Sequence, residues 1–164
     1  VTFFPAAIAA TEPGSLSMVF REENAGVAAA AGYQWAFFTE RWESGGVADW
    51  LAPIDAGGLF SGVAAVQACT VAVTYSVAYV ALGSGGPLGI AYYVDGVMWG
   101  AGGGCTTLIN GGVLTYHAAI DLAEGAQLTA KLINEFDANA YFFDAFLSVE
   151  VLGGATLTPE STGT

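Results

Sequence analysis

Apolar and polar residues alternate with period two along most of the chain. The repeat is clearest at Val71, Val73, Tyr75, Val77 and Tyr79. Alternation rich in β-branched and aromatic residues marks a half-buried strand, not a helix. The same pattern puts Leu16, Met18 and Phe20 on one face of a strand over 15–23. It puts Tyr33, Trp35 and Phe37 on one face of another over 33–43. Further strands are predicted over 59–66, 69–82, 88–94, 97–100, 105–109, 113–122, 126–133 and 141–152.

The breaks between strands carry turn chemistry. Residues 83–87 (Gly-Ser-Gly-Gly-Pro) form a loop, and Gly102, Gly103 and Gly104 a flexible break. Asp95-Gly96 and Asn110-Gly111 are type I′ hairpin signals, because both dipeptides tolerate positive φ. Ala123-Glu124-Gly125 is a tight turn, and residues 134–140 a polar loop. The alanine-rich stretch 25–32 suggests a helical turn weakened by its glycines. The glycine- and proline-broken stretch 44–58 around Trp50 reads as a long connection. Short strands at such regular spacing predict a β-sandwich. The absence of an internal repeat argues against a propeller or solenoid. The expected division is an N-terminal arm with leading strands over 1–50, a sandwich over 51–153, and a tail over 154–164.

Charge changes this picture more than hydrophobicity does. Charged residues make up 11% of the chain, against about 25% in ordinary soluble domains. A surface so poor in charge implies that a partner covers part of it. Fifteen acidic residues face only Arg21, Arg41 and Lys131, giving a net charge of −12. That balance argues against binding a nucleic-acid backbone or an anionic lipid surface. Residues 61–82 are apolar enough to raise a membrane span, but Gln67, Thr70, Thr74 and Ser76 interrupt the run and Val71, Val73, Tyr75, Val77 and Tyr79 alternate at strand period. The opening Val1 to Ala10 has no basic residue and no leucine, so no secretion signal is expected there.

Little in the chain suggests catalysis. His117 is the only histidine, which excludes a histidine triad or histidine cluster within one chain; its alternatives are a structural role or a pH-sensitive subunit contact. Cys69 and Cys105 fit buried free thiols or a single bridge. Glu40 with Glu43, or Glu135 with Asp137, are the carboxylate pairs that hydrolysis would need. Glu135, Asp137 and Asn139 also alternate, with Asp144 shortly after, at a spacing that oxygen ligands for Ca²⁺ can take, without the glycine of a full loop motif. No cofactor motif is present. The dense aromatics around Trp35, Phe37, Phe38, Trp42 and Trp50 belong either to the core or to an anchoring surface.

The block 59–153 resembles the jelly roll of tumour necrosis factor and complement globular-head domains. Leu59-Phe60, the strand Tyr75-Ser76-Val77-Ala78-Tyr79-Val80 and the strand-to-turn Tyr92-Tyr93-Val94-Asp95-Gly96 carry the likeness. So do Ala118 to Leu128 around the turn Leu122-Ala123-Glu124-Gly125, and the closing Tyr141-Phe142-Phe143-Asp144-Ala145-Phe146-Leu147. The chain departs from the family in having no collagen-like stalk. Where the family closes on phenylalanine-serine-glycine it has Phe146-Leu147-Ser148. The resemblance implies an all-β jelly roll that forms homotrimers, as do similar proteins decorating bacteriophage and viral capsids. The resemblance does not choose between a receptor ligand and a capsid part. The lack of a secretion signal and the Gly/Ala-rich composition favour a non-enzymatic virion protein. The expected role is a decoration, cement or fibre component whose partners are its own copies and the major capsid protein or other virion subunits. Its candidate assembly contacts are Trp35, Phe37, Trp42, Trp50, Tyr75, Tyr79, Tyr141 and Phe143. The alternative is a secreted head that recognises glycan or receptor through loops such as 84–87.

Overall fold

The computed structural model describes residues 16–22, 27–29, 32–35, 38–81, 88–105, 111–134 and 140–154. These form β1 (Ser17–Glu22), β2 (Val27–Ala29), β3 (Gly32–Trp35), β4 (Glu40–Glu43), β5 (Leu51–Asp55) and β6 (Phe60–Ala65). They continue as β7 (Cys69–Ala81), β8 (Leu88–Val94), β9 (Val97–Cys105), β10 (Gly112–Leu122), β11 (Gln127–Asn134) and β12 (Ala140–Gly154). One short 3-10 turn, Val47–Asp49, precedes β5. No helix among the described residues is long and apolar enough to cross a membrane.

The strands make two antiparallel sheets. Sheet A runs β10-β7-β12-β1-β4, with β2 also paired to β12. Sheet B runs β5-β6-β11-β8-β9, with β3 also paired to β11. From β6 to β12 the chain changes sheet at every connection except the β8–β9 hairpin. That winding is a jelly roll, as expected. Asp95 (φ 52°) and Gly96 (φ 78°) supply the paired positive φ of the predicted hairpin turn.

Alternation decides which side chains enter the core. Val71, Val73, Tyr75, Val77 and Tyr79 of β7 are all buried, as are Leu114, Ala118, Ile120 and Leu122 of β10. They meet Ile90, Tyr92, Leu128, Ala130 and Leu132 from sheet B in one continuous core. At one end, Phe20, Phe38, Phe60 and Tyr75 form an aromatic cluster with centroid separations of 5.8–5.9 Å. Phe38 and Phe60 exchange two backbone hydrogen bonds of 2.8 Å, which stitches the chain before β4 to the start of β6. The Arg41 guanidinium lies 5.2 Å from the Phe60 ring centroid, covering the cluster at the rim of the sandwich.

Several expected elements differ. The stretch read as a helical turn contains strand β2, which finds hydrogen bonds on β12 that its own glycines would not give a helix. The single strand expected over 33–43 is two: β3 pairs with β11 in sheet B and β4 with β1 in sheet A. The long connection 44–58 contains β5, an edge strand, where Pro53 is tolerated because one side of the backbone pairs with no strand among the described residues. With β1 and β4 built into sheet A, the sandwich takes in leading strands placed outside it by the expected boundary at residue 51. The arm 1–15 and most of the tail, 155–164, lie outside the described residues.

The break expected at Gly102, Gly103 and Gly104 is instead part of β9, toward its C-terminal end. A Cβ on Gly102 would stand 2.6 Å from two ring carbons of Tyr116, and one on Gly100 would stand 3.1 Å from its hydroxyl. These glycines let β9 close over the Tyr116 ring, which stacks on Tyr92 at 4.9 Å. The second hairpin signal also reads differently. β9 pairs with β8 and β10 with β7, so the connection that includes Asn110-Gly111 joins the two sheets.

Candidate functional site

Of the exposed aromatics among the described residues, Trp42 and Phe146 lie on the outer face of sheet A, and Trp99 lies on β9 of sheet B. Inward Met18 and Phe20 leave Ser17, Val19 and Arg21 outward on β1. The register then puts Trp42 beside Val19 and Glu40 beside Arg21 on the same face of β4. On β7 the outward residues are small or hydroxyl-bearing: Thr70, Ala72, Thr74, Ser76, Ala78 and Val80. Three of them bond to β10: Thr70 Oγ1 donates to Asp121 Oδ1 (2.5 Å), Thr74 Oγ1 meets His117 Nδ1 (2.7 Å), and Ser76 Oγ meets Thr115 Oγ1 (3.0 Å).

Strand β12 carries the aromatics that flank this platform. Tyr141 lies opposite Val80, Phe143 opposite Ala78, and Phe146 opposite Ser76. A register shift between Phe143 and Phe146 breaks the alternation, and Asp144 sits there with φ 51°. An aspartate tolerates this left-handed conformation better than most residues, and such a bulge inserts one extra residue. The bulge keeps Asp144 in solvent and returns Ala145, Leu147 and Val149 to the core. It also leaves both Phe143 and Phe146 on the outer side. Phe146 is 40% exposed, Trp42 51% and Val113, at the end of β10, 66%. The face therefore combines an arc of Trp42, Phe146, Phe143 and Tyr141 with a flat strip of alanine, serine and threonine.

Of the expected contacts, Trp42, Tyr141 and Phe143 lie on this face. Tyr75 and Tyr79 do not: the alternation of β7 turns them inward, and Tyr75 is 1% exposed. Burial pushes the Tyr75 hydroxyl far above the ordinary phenol range, with the neighbouring Tyr92 adding to it. Tyr92 is raised in the same way, and its hydroxyl donates to the Tyr116 carbonyl at 2.6 Å. Trp50 is half-buried and packs against the core, near Gly154. Trp35 contributes its backbone to β3, while its side chain and all of Phe37 lie outside the described residues. So do Glu135, Asp137, Asn139 and the loop 84–87. Phe146 escaped the sequence pattern because uninterrupted alternation places it inward. The aspartate between aromatics was the one local signal of a bulge.

The carboxylate pair Glu40 and Glu43 is not assembled. Spaced by three along a strand, the two side chains leave opposite faces of β4, Glu40 with Arg21 and Glu43 opposite Met18. Cys69 is a free, buried thiol, held above its ordinary pKa by desolvation. Cys105 lies on β9 in the other sheet.

The two sheets and their winding define a jelly roll of the kind found in tumour necrosis factor and complement globular heads. No family model matches the sequence, and neither does any curated protein. Among solved structures, the chain is similar to the Eiger TNF of S. frugiperda, with TM-score 0.59 and 11% identity over 87% of this chain and 95% of that one. It is similar to the globular domain of zebrafish complement 1qA, with TM-score 0.57 and 9% identity over 86% and 99%. Murine APRIL aligns with TM-score 0.52 and 11% identity over 82% and 98%. At such identities the likeness is one of fold.

Proposed function

We propose that this chain is a non-enzymatic jelly-roll subunit that assembles as a homotrimer through the outer face of sheet A. The observation that carries this reading is the character of that face: exposed Trp42, Phe146 and Val113 beside a flat alanine and hydroxyl strip, with no lysine among its described residues. Interface centres favour such aromatics and are depleted in lysine. The outward acids Glu40, Asp121, Asp144 and Glu150 lie off the row that joins Trp42 to His117. The likeness to tumour necrosis factor and complement heads supports a binding role over a catalytic one.

The assembled trimer acts at the surface of a virus particle, as a decoration or cement protein seated on the major capsid protein. The low charge content of the whole chain, 11%, supports a life spent largely against other subunits. A second reading is a secreted head that recognises glycan or receptor, supported by the likeness in fold to Eiger TNF and the complement 1qA globular domain. Cosedimentation with capsids lacking the protein, run beside a glycan array, separates the two.

Light scattering of the purified chain tests the assembly itself. The expected mass is three times 16.7 kDa. Phe146→Asp places a charge in the middle of the face and is expected to weaken the trimer more than about tenfold while leaving the circular dichroism spectrum intact. A wild-type chain that is monomeric at micromolar concentration rejects the proposal.

A further inference from the structure

We infer that His117 makes the assembly face sensitive to pH, so that copies hold together near neutrality and loosen on mild acidification. This rests on the self-assembly proposed above. Histidine is the side chain whose charge ordinarily changes between pH 5 and 8, and His117 is the chain's only one. It ends a row that crosses the whole outer face of sheet A: Trp42, Val19, Ser148, Thr74, His117. Its Nδ1 lies 2.7 Å from Thr74 Oγ1 in an exposed contact, and the His117 side chain is itself exposed on this face.

The charged groups around this row decide what a proton does. On its own strand there is Asp121, whose carboxylate is tied to Thr70. Strand β7 presents none, since its outward residues are Thr70, Ala72, Thr74, Ser76, Ala78 and Val80. Strand β12 brings Glu150, in register with Ala72 and so one row away, and Asp144 at the bulge. Strand β1 brings Arg21 and β4 brings Glu40, paired to each other in the next row along. Strand β9, near β10 at the open edge, has no charged residue between Val97 and Cys105. No carboxylate shares the row of His117.

A second copy laid on this row removes water from the ring. A neutral imidazole tolerates that, with one nitrogen on Thr74 and the other bonding across the contact. An imidazolium loses its hydration and gains no opposite charge in the row, so protonation opposes assembly. The net charge of −12 acts the other way, favouring an added positive charge at long range. At 0.15 M salt that attraction is screened beyond about 8 Å, and the local desolvation decides the sign.

Sedimentation equilibrium of the full chain at pH 7.5 and pH 5.5, in 0.15 M NaCl, tests this, with circular dichroism at both values reporting that the sandwich is intact. The wild-type trimer is expected to weaken at least tenfold at pH 5.5. His117→Gln, which keeps a neutral partner for Thr74, is expected to give the same association constant at both values. A wild-type trimer equally tight or tighter at pH 5.5 overturns the inference and leaves self-assembly standing. A glutamine variant that follows the wild type assigns the pH response elsewhere and also overturns it. A monomer at pH 7.5 overturns the inference and the assembly reading together.

Discussion

Replacing Gly62 with alanine is expected to lower the unfolding free energy by roughly 3–5 kcal/mol, combining overpacking with backbone strain. Gly62 sits where the β5–β6 register shifts, with Ile54 opposite it and Asp55 opposite Phe60. Its φ of 155° is one that side-chain-bearing residues rarely adopt. A Cβ there would fall on the carbonyl oxygen of Leu128, and would stand 3.0 Å from the Leu128 carbonyl carbon and 3.1 Å from Thr129 Cα. All three atoms are backbone of β11, the central strand of sheet B, so none can rotate away. Gly45→Ala is the natural control, because nothing lies within 4 Å of its Cβ position. Urea unfolding of the two variants should differ by at least about 3 kcal/mol, and near-equal midpoints would show that the bulge has no such constraint.

Phe38→Ala is expected to cost about 3–5 kcal/mol, the usual range for deleting a fully buried phenyl ring. Phe38 is 0% exposed and lies between Phe20, at 5.9 Å, and the edge-on ring of Tyr75, at 5.8 Å. It belongs to no long strand, so its place depends on these rings and on the two backbone bonds to Phe60. The alanine variant leaves a cavity facing the rim that Arg41 covers, and it should lose thermal stability by many degrees. Phe38→Leu fills most of the space and is expected to cost less than half as much. Equal losses for the two variants would place the energy in something other than ring volume.

Much of the fold was legible in single strands. The run from Val71 to Tyr79 specified its own inward and outward faces, and Asp95-Gly96 specified its turn, because both signals are local. Pairing between distant strands was not legible in the same way. Asn110-Gly111 carries the same dipeptide chemistry as a hairpin, yet the strands on either side lie in different sheets. A dipeptide fixes φ and leaves the choice of partner strand to the core. The glycines of β9 misled for a related reason: in isolation they mark freedom, and beside Tyr116 they mark a lack of space.

The candidate site was half legible. Trp42, Tyr141 and Phe143 were recognisable as aromatics in alternating strands, and the structure puts them on one face. Tyr75 and Tyr79 have the same composition signal and the opposite orientation, set by which side of β7 meets sheet B. Phe146 was hidden by the bulge at Asp144, one residue that reverses the sense of every position after it.

The three basic residues have a consequence for handling the protein. A protease that cuts after lysine or arginine has only Arg21, Arg41 and Lys131 to attack, and all three lie within strands. Arg21 and Lys131 are hydrogen-bonded neighbours of strands on both sides, and Lys131 is half-buried, its ammonium 4.2 Å from the Tyr93 ring centroid. Arg41 alone sits on an edge strand. A first cut after Arg41 therefore registers fraying of one rim, and a cut after Lys131 registers opening of sheet B through its centre.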